Sequence, residues 1–422
     1  MKIYIETYGC SANQADSEMM AGLLEESGHR ITNEKDSDII ILNTCFVKTP
    51  TEMKIIDRIK KLKGKKLIIA GCMPETMGKK LKKIAPESSL VGTHNLKRIT
   101  EAVERMMREE AVEFVGKNNV PKAGIKKIRK NPIINIVPVS SGCLGECAYC
   151  CVRLAKGRLF SFSGEMIIRD ICSSLKDGCR EVWITSQDNG CYGFDKGTNL
   201  AKLLEETVRI DGDFRIRIGM MNPDHVRRFL RDLINIYKNP KIYKFLHIPV
   251  QSGSDSVLKR MKRKYTVKQF EEIVKEFRKE IPDITVSTDI IVGFPGETEK
   301  DFEETKKLLE RVSPDVVNLS KFGSRPGTEA SGMDQVDNRT IKERSKSIGL
   351  IIKKITKERN DRFAGKECEI LISENGKRKN QWVGRNIEYK PVLVESKDDL
   401  LGKMIKVRTS EAKVTHLVGE RV

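Results

Sequence analysis

Short apolar runs alternate with amphipathic stretches along most of this chain, and that repeat limits the fold more than any other feature. In the first hundred residues KIYIETYG is followed by an amphipathic stretch at 13–27, DIIILNT by one at 49–62, KLIIAG by one at 74–84 and SLVGT by one at 95–108. Strands that lead into helices and return to parallel partners bury such runs on both faces, so a Rossmann-like parallel sheet is predicted over 1–115. A second series has apolar runs at 133–139, 181–186, 215–220, 245–250, 284–292 and 316–322. Six parallel strands predict a partial (β/α)6 TIM-like barrel over 132–360, with polar or glycine-rich turns (SSGC, SQDNG, MNPD, QSGSD, GFPGE, SRPGT) at the strand ends. Residues 116–131 read as a basic linker punctuated by Pro121 and Gly124. From about Phe363 the runs ECEILIS, QWVGRN, KPVLVES, MIKVRTS and VTHLVGE crowd together, which predicts a small OB-like β-barrel over 361–422.

The chain begins without a basic-then-apolar leader and contains no run near the ~18 apolar residues of a membrane helix, so the expectation is a cytoplasmic protein. In a reducing compartment clustered cysteines point to metal or redox chemistry rather than disulfides. The formal charge is +19. It is concentrated at 116–130, where Lys117, Lys122, Lys126, Lys127, Arg129 and Lys130 occur with no acid, and again from Lys259 to Lys268. Basic surface of this kind fits a nucleic acid, with Lys126 and Lys127 as candidate phosphate contacts; a solvated lysine-rich face is the plainer alternative.

Six of the eleven cysteines fall into two sets of three. Cys143, Cys147 and Cys150 form C-x3-C-x2-C just past the first barrel strand. Three thiolates on a cubane [4Fe–4S] cluster leave one iron open to another ligand. Zinc would need a fourth ligand, and adjacent Cys150 and Cys151 would strain to cap one small ion. Cys10, Cys45 and Cys72 each end one of the first three strands, where ligands of open α/β sheets bind, and form a second candidate site. Ordinary buried cysteines are the alternative. Cys151, Cys172, Cys179, Cys191 and Cys368 match no ligand pattern, and the five histidines (His29, His94, His225, His247, His416) form no evident pair.

C-x3-C-x2-C after the first strand of a partial barrel resembles the radical S-adenosylmethionine enzymes. FLHIPVQSGSDSVLKRMKRKYT at 245–266, DIIVGFPGETEKDFEET at 289–305 and SRPGT at 324–328 resemble the methylthiotransferase family within them. The likeness spans essentially the whole chain, and the C-terminal barrel resembles that family's TRAM domain. TSQDNGCYGFDKGTNLAKLL and RIGMMNPDHV are most similar to the branch acting on N6-threonylcarbamoyladenosine in tRNA. The resemblance implies two [4Fe–4S] clusters, one on Cys143, Cys147 and Cys150 and one on Cys10, Cys45 and Cys72. It also implies S-adenosylmethionine on the open iron of the first cluster, sulfur held on the second, and a reductant such as flavodoxin or ferredoxin; a monomer is expected. The strand carrying Asp289 and Gly293 is implied to lie against the adenosine, with Ser186, Gln187 and Gln251 in polar contact. A tight strand-to-helix turn accounts equally for Gly293 and Gly296. Lys156-Gly157 departs from the Arg-Gly of relatives.

A pocket for a threonylcarbamoyl group needs polar donors, and the strand-end loops supply Gln187, Asp188, Asn189, Asn222, Gln251, Ser252 and Arg325. Arg325 is the candidate carboxylate clamp, set against a simple ion pair with a loop acid. The rival readings are methylthiolation of a ribosomal-protein aspartate or of N6-isopentenyladenosine in tRNA, a radical enzyme for a small molecule, and a non-catalytic RNA binder with structural clusters. Charge favours tRNA.

Overall fold

The computed structural model describes residues 1–47 and 49–422. Residues 2–114 form a six-stranded sheet, parallel throughout, in the order 30–31, 2–7, 39–44, 67–71, 89–92, 113–114. The two short edge strands, Arg30–Ile31 and Glu113–Phe114, lack a sequence signal because two residues carry no periodicity. Strand order reverses beside Lys2–Thr7, so the ligand crevice of this sheet opens at its carboxyl end.

Six further parallel strands make the barrel in two halves, Ile134–Pro138 with Glu181–Thr185 and Arg215–Ile218, then Phe245–His247 with Thr285–Val292 and Val316–Lys321. A parallel bridge from Ile216 to Ile242 joins them. Their outward side chains, among them Val182, Ile184, Ile216, Ile218, Val286 and Ile290, are buried beneath the surrounding helices in the largest core of the molecule. Several of those helices start where a side chain caps them: Ser163, Asn199 and Asp337 accept from the first turn, and Thr266 and Thr298 complete capping boxes with Gln269 and Asp301.

Residues 116–131 form a packed strap. Lys122, Ala123 and Lys127 are buried, and the Lys126 carbonyl lies where a Cβ on Gly22 would sit, at 2.1 Å. The strap is therefore wedged between the helix Ser11–Glu26 and the barrel.

The C-terminal strands Glu367–Asn375, Gln381–Arg385, Pro391–Glu395, Met404–Ala412 and Leu417–Arg421 close into a five-stranded barrel. A turn of this module stoppers the base of the large barrel. Tyr389, at φ 63°, sets its ring 4.7 Å from Tyr243 and 5.0 Å from Phe245. Beside it the Asp315 carboxylate takes Lys390, buried with it, at 2.9 Å and the half-buried Arg359 at 3.0 Å. Burial raises the Asp315 pKa, but these cations outweigh it and hold the group below the ordinary value. Asp315→Ala leaves Lys390 buried without its counter-ion, so it should cost about 3–5 kcal/mol in urea unfolding. The small barrel should then become the first site of limited proteolysis.

Candidate functional site

The helix Ser11–Glu26 begins directly after Cys10, and the helix Cys72–Ile84 begins at Cys72 itself. Both thiols thus sit at the positive end of a helix, a place that suits an anionic ligand. Cys45 follows the strand Ile39–Thr44. Two glycines let the three loops converge. A Cβ on Gly9 would meet Cys45 Cβ at 2.6 Å, and one on Gly71 would meet the Thr44 carbonyl at 2.6 Å; both residues have positive φ. Cys45 and Cys72 are buried and Cys10 is exposed. Burial pushes the Cys72 thiol up to about 12, so it ionises readily only against a metal.

The second triad lies past the end of Ile134–Pro138. The Gly145 N–H donates to Cys143 Sγ at 3.1 Å, and Arg263 donates to Cys147 Sγ at 3.2 Å. N–H donors and a guanidinium on sulfur suit an anionic iron–sulfur cluster, so these residues fit one. Arg263 is pinned by Tyr265, Asn222 and the Pro249 carbonyl, so part of the acid-free run Lys259–Lys268 supports a cysteine rather than facing solvent. Cys191 is buried against this triad. Its S–H donates to the Asp188 carbonyl at 3.2 Å, and the contact of its sulfur with Cys143 lowers the Cys143 pKa and raises its own. Cys143, Cys191 and Asp188 hold ligand atoms within 4.8 Å of one another. Asp188 binds His225 Nδ1 at 2.7 Å; burial alone would lower the His225 pKa, but Asp188 outweighs it and raises it. Cys191 and His225 are far from the triad in sequence and, although both lie in stretches similar to the threonylcarbamoyladenosine branch, neither has a ligand spacing to it.

Both triads border one domain contact, where Cys72 and Cys151, the residue after Cys150, share a buried cluster. The hydroxyls of Ser11 and Thr185 are hydrogen-bonded at 3.0 Å, joining the residue after Cys10 to a barrel strand end. Beside them Asp16 is buried between two cations, Lys122 of the strap at 2.7 Å and Lys156 of the barrel at 3.3 Å, with Thr93 bridging. Burial alone would lower the Lys156 pKa, but Asp16 and then the thiols of Cys72 and Cys10 outweigh it and raise it. The sequence places Lys156 only as a departure from Arg; the structure places its charge at the N-terminal thiols.

Other expected contacts separate. Gln187 Oε1 accepts from the Gly142 N–H at 2.8 Å and so braces the cysteine loop, while Ser186 Oγ accepts from the Asp188 N–H at 3.1 Å. Gln251 has φ 72° and a buried Oε1 with no donor among the described residues, a strained backbone and an orphaned polar atom at a strand end. Asp289 accepts from His247 at 3.0 Å and Asn318 at 2.7 Å on the inner barrel face. Gly293 is a packing requirement: a Cβ there would strike Ile341 at 2.3 Å, so the turn before a packed helix is enough to account for the glycine. The carboxylate that Arg325 holds is Glu52, at 2.6 Å, and its Nε donates to the Val47 carbonyl, so it is an interdomain tie. Lys127 is likewise not a phosphate contact. Its ammonium is buried on Asp170, Asn135 and the Ile136 carbonyl, because the strap packs where a free linker was expected. Lys126 is exposed, 3.7 Å from Glu25.

Three family models match separate stretches of the chain. Residues 2–92 match the uncharacterized protein family UPF0004, 137–309 the radical SAM superfamily and 361–422 the TRAM domain. A probable threonylcarbamoyladenosine tRNA methylthiotransferase of Methanothermobacter thermautotrophicus is 43% identical over 424 residues, covering 100% of this chain and 99% of that one. The chain belongs to the threonylcarbamoyladenosine tRNA methylthiotransferase family. Its Homo sapiens member is 38% identical over 434 residues, covering 100% of this chain and 74% of the longer human protein. Among solved structures, the radical S-adenosylmethionine methyltransferase TsrM of Kitasatospora setae shares the fold, with TM-score 0.59 at 14% identity over 78% of this chain and 75% of that one. Membership of the radical SAM superfamily brings a [4Fe–4S] cluster and S-adenosylmethionine, and the donors around Cys143, Cys147 and Cys150 suit that cluster. Among the described residues no helix is long and apolar enough to cross a membrane.

Lys156→Met removes a buried cation from Asp16 and should cost about 3 kcal/mol at the first urea transition, whereas Lys156→Arg should stay within about 1 kcal/mol of the parent. Equal losses in both variants would contradict a charge-based tie.

Proposed function

We propose that this chain inserts sulfur and a methyl group at C2 of N6-threonylcarbamoyladenosine at position 37 of tRNA, beside the anticodon. The full-length similarity to relatives of that name carries the reading. The meeting of two thiol triads at one domain contact supports it. Within it, Cys143, Cys147 and Cys150 hold the radical cluster, and Cys10, Cys45 and Cys72 hold a second [4Fe–4S] cluster. When bound, the first cluster with S-adenosylmethionine supplies hydrogen abstraction from an unactivated C–H bond, and the second supplies a place for sulfur.

The chain's own residues do the remainder. Arg263 and the Gly145 N–H steady the sulfurs of the first triad, while Asp16, Lys122 and Lys156 balance negative charge at the second. Gln251 and Asp289 line the space where the cofactor's polar groups would lie. The Ser11–Thr185 contact fixes the distance between the two sites. Lys126 and the exposed lysines of the C-terminal barrel offer charge to phosphates, and an adenine splayed from a single-stranded loop is the usual way for an RNA base to reach such a cleft. A cytoplasmic enzyme acting as a monomer, reduced by a flavodoxin or ferredoxin, completes the reading.

Replacing Cys10, Cys45 and Cys72 together should preserve S-adenosylmethionine cleavage and abolish sulfur transfer, measured as 5′-deoxyadenosine against thiolated nucleoside. Methylthiolated product from that variant would remove the second cluster from the reaction. The deciding experiment is mass spectrometry of tRNA nucleosides from cells with and without the gene. The expected result is loss of the 2-methylthio mark from N6-threonylcarbamoyladenosine. An unchanged nucleoside profile with a mass increment lost from a ribosomal protein would overturn it.

A further inference from the structure

Barrels of this kind usually fill their interior with branched apolar side chains. Here the inward face of successive strands carries Trp183, Arg217, His247, Asp289 and Asn318 instead, all partly exposed. His247 and Asn318 are engaged with Asp289. Arg217 differs from these and from three other interior arginines. Arg325, Arg344 and Arg359 each hold a carboxylate, whereas no carboxylate reaches Arg217 among the described residues. Its Nε–H is buried with no acceptor among the described residues. Its guanidinium lies 5.5 Å from the ring centres of Trp183 and Phe245 and 5.9 Å from Tyr389. Glu181, on the same inner face, is occupied by the Trp183 indole and the Tyr243 hydroxyl.

A half-buried guanidinium walled by three aromatic rings keeps part of its charge compensated by their faces, but its N–H groups still need acceptors. The planar fork is suited to a carboxylate held by two hydrogen bonds. We propose that Arg217 receives a carboxylate carried by a ligand in the barrel lumen. Resting on the reaction proposed above, two ligands carry one: S-adenosylmethionine and the threonylcarbamoyl arm of the nucleoside. Depth favours the arm. Thr185, the strand end that meets Ser11, marks the rim at the domain contact, and Trp183 is paired in register with Arg217 two residues below it, about 6.6 Å deeper. A base with its reacting edge at the rim directs an acidic substituent to that depth, with Trp183 as the adjoining flat surface.

The test uses full-length, cluster-reconstituted protein carrying Arg217→Met or Arg217→Lys. Anisotropy measures affinity for anticodon stem-loops bearing N6-threonylcarbamoyladenosine or plain adenosine, and equilibrium dialysis measures S-adenosylmethionine. The parent should prefer the modified RNA by about 10-fold or more, as expected for a charge-assisted pair. R217M should lose that preference with its affinities for plain RNA and S-adenosylmethionine within about 2-fold of the parent, and R217K, which keeps the charge and guards against misfolding, should retain part of it. The assignment to the nucleoside is overturned if R217M keeps the preference, weakens both RNAs alike, or weakens S-adenosylmethionine alone, the last placing the cofactor's carboxylate on Arg217. Failure of the parent to methylthiolate the modified tRNA would instead sink the reaction itself, so the two failures are distinct.

Discussion

A single buried carboxylate organises the meeting of domains. Asp16 lies on the helix that starts at Cys10, and its two cations come from the strap and from the segment just after the C-x3-C-x2-C motif. A charge removed from water is tolerated only when paired and hydrogen-bonded, and an error in docking would strand three charges at once. The pairing therefore specifies one docking of the N-terminal sheet on the barrel, and with it the separation of the two thiol triads. Arg325 on Glu52 and Lys127 on Asp170 repeat the device at other edges of the contact.

The positive charge of the chain divides by depth. Lys122, Lys127, Lys156 and Lys390 are buried and consumed by Asp16, Asp170 and Asp315. Only the exposed remainder can act at a distance on a polyanion, and its effect is screened over about 8–10 Å at physiological salt. A net charge of +19 thus overstates the field that RNA meets and understates the role of lysine in assembling the domains.

Much of this was legible in the linear chain. Periodicity located the main strands of all three domains, because a side chain's face is set by spacing alone. The cysteine triads were legible because these cysteines recur at strand ends, where a parallel sheet converges them. What spacing could not reveal was pairing. Lys127 and Arg325 read as surface and pocket cations until Asp170 and Glu52, 43 and 273 residues away, were brought against them. Cys191 and His225 lie in stretches that pointed to the family branch but had no ligand spacing, and their place became visible only once folding set them beside Cys143 and Asp188. Gly293 matched a binding glycine, yet the atom it makes room for belongs to Ile341.

The C-terminal module is often pictured as a tethered hand whose reach depends on its linker. Here Tyr389 and Lys390 fasten it to the barrel's base. The module is a fixed arm of a caliper, so the gap between its lysines and the barrel mouth is set by packing rather than by chain entropy. An RNA that engages both must already have that span, and shape becomes a criterion of selection before any base is read.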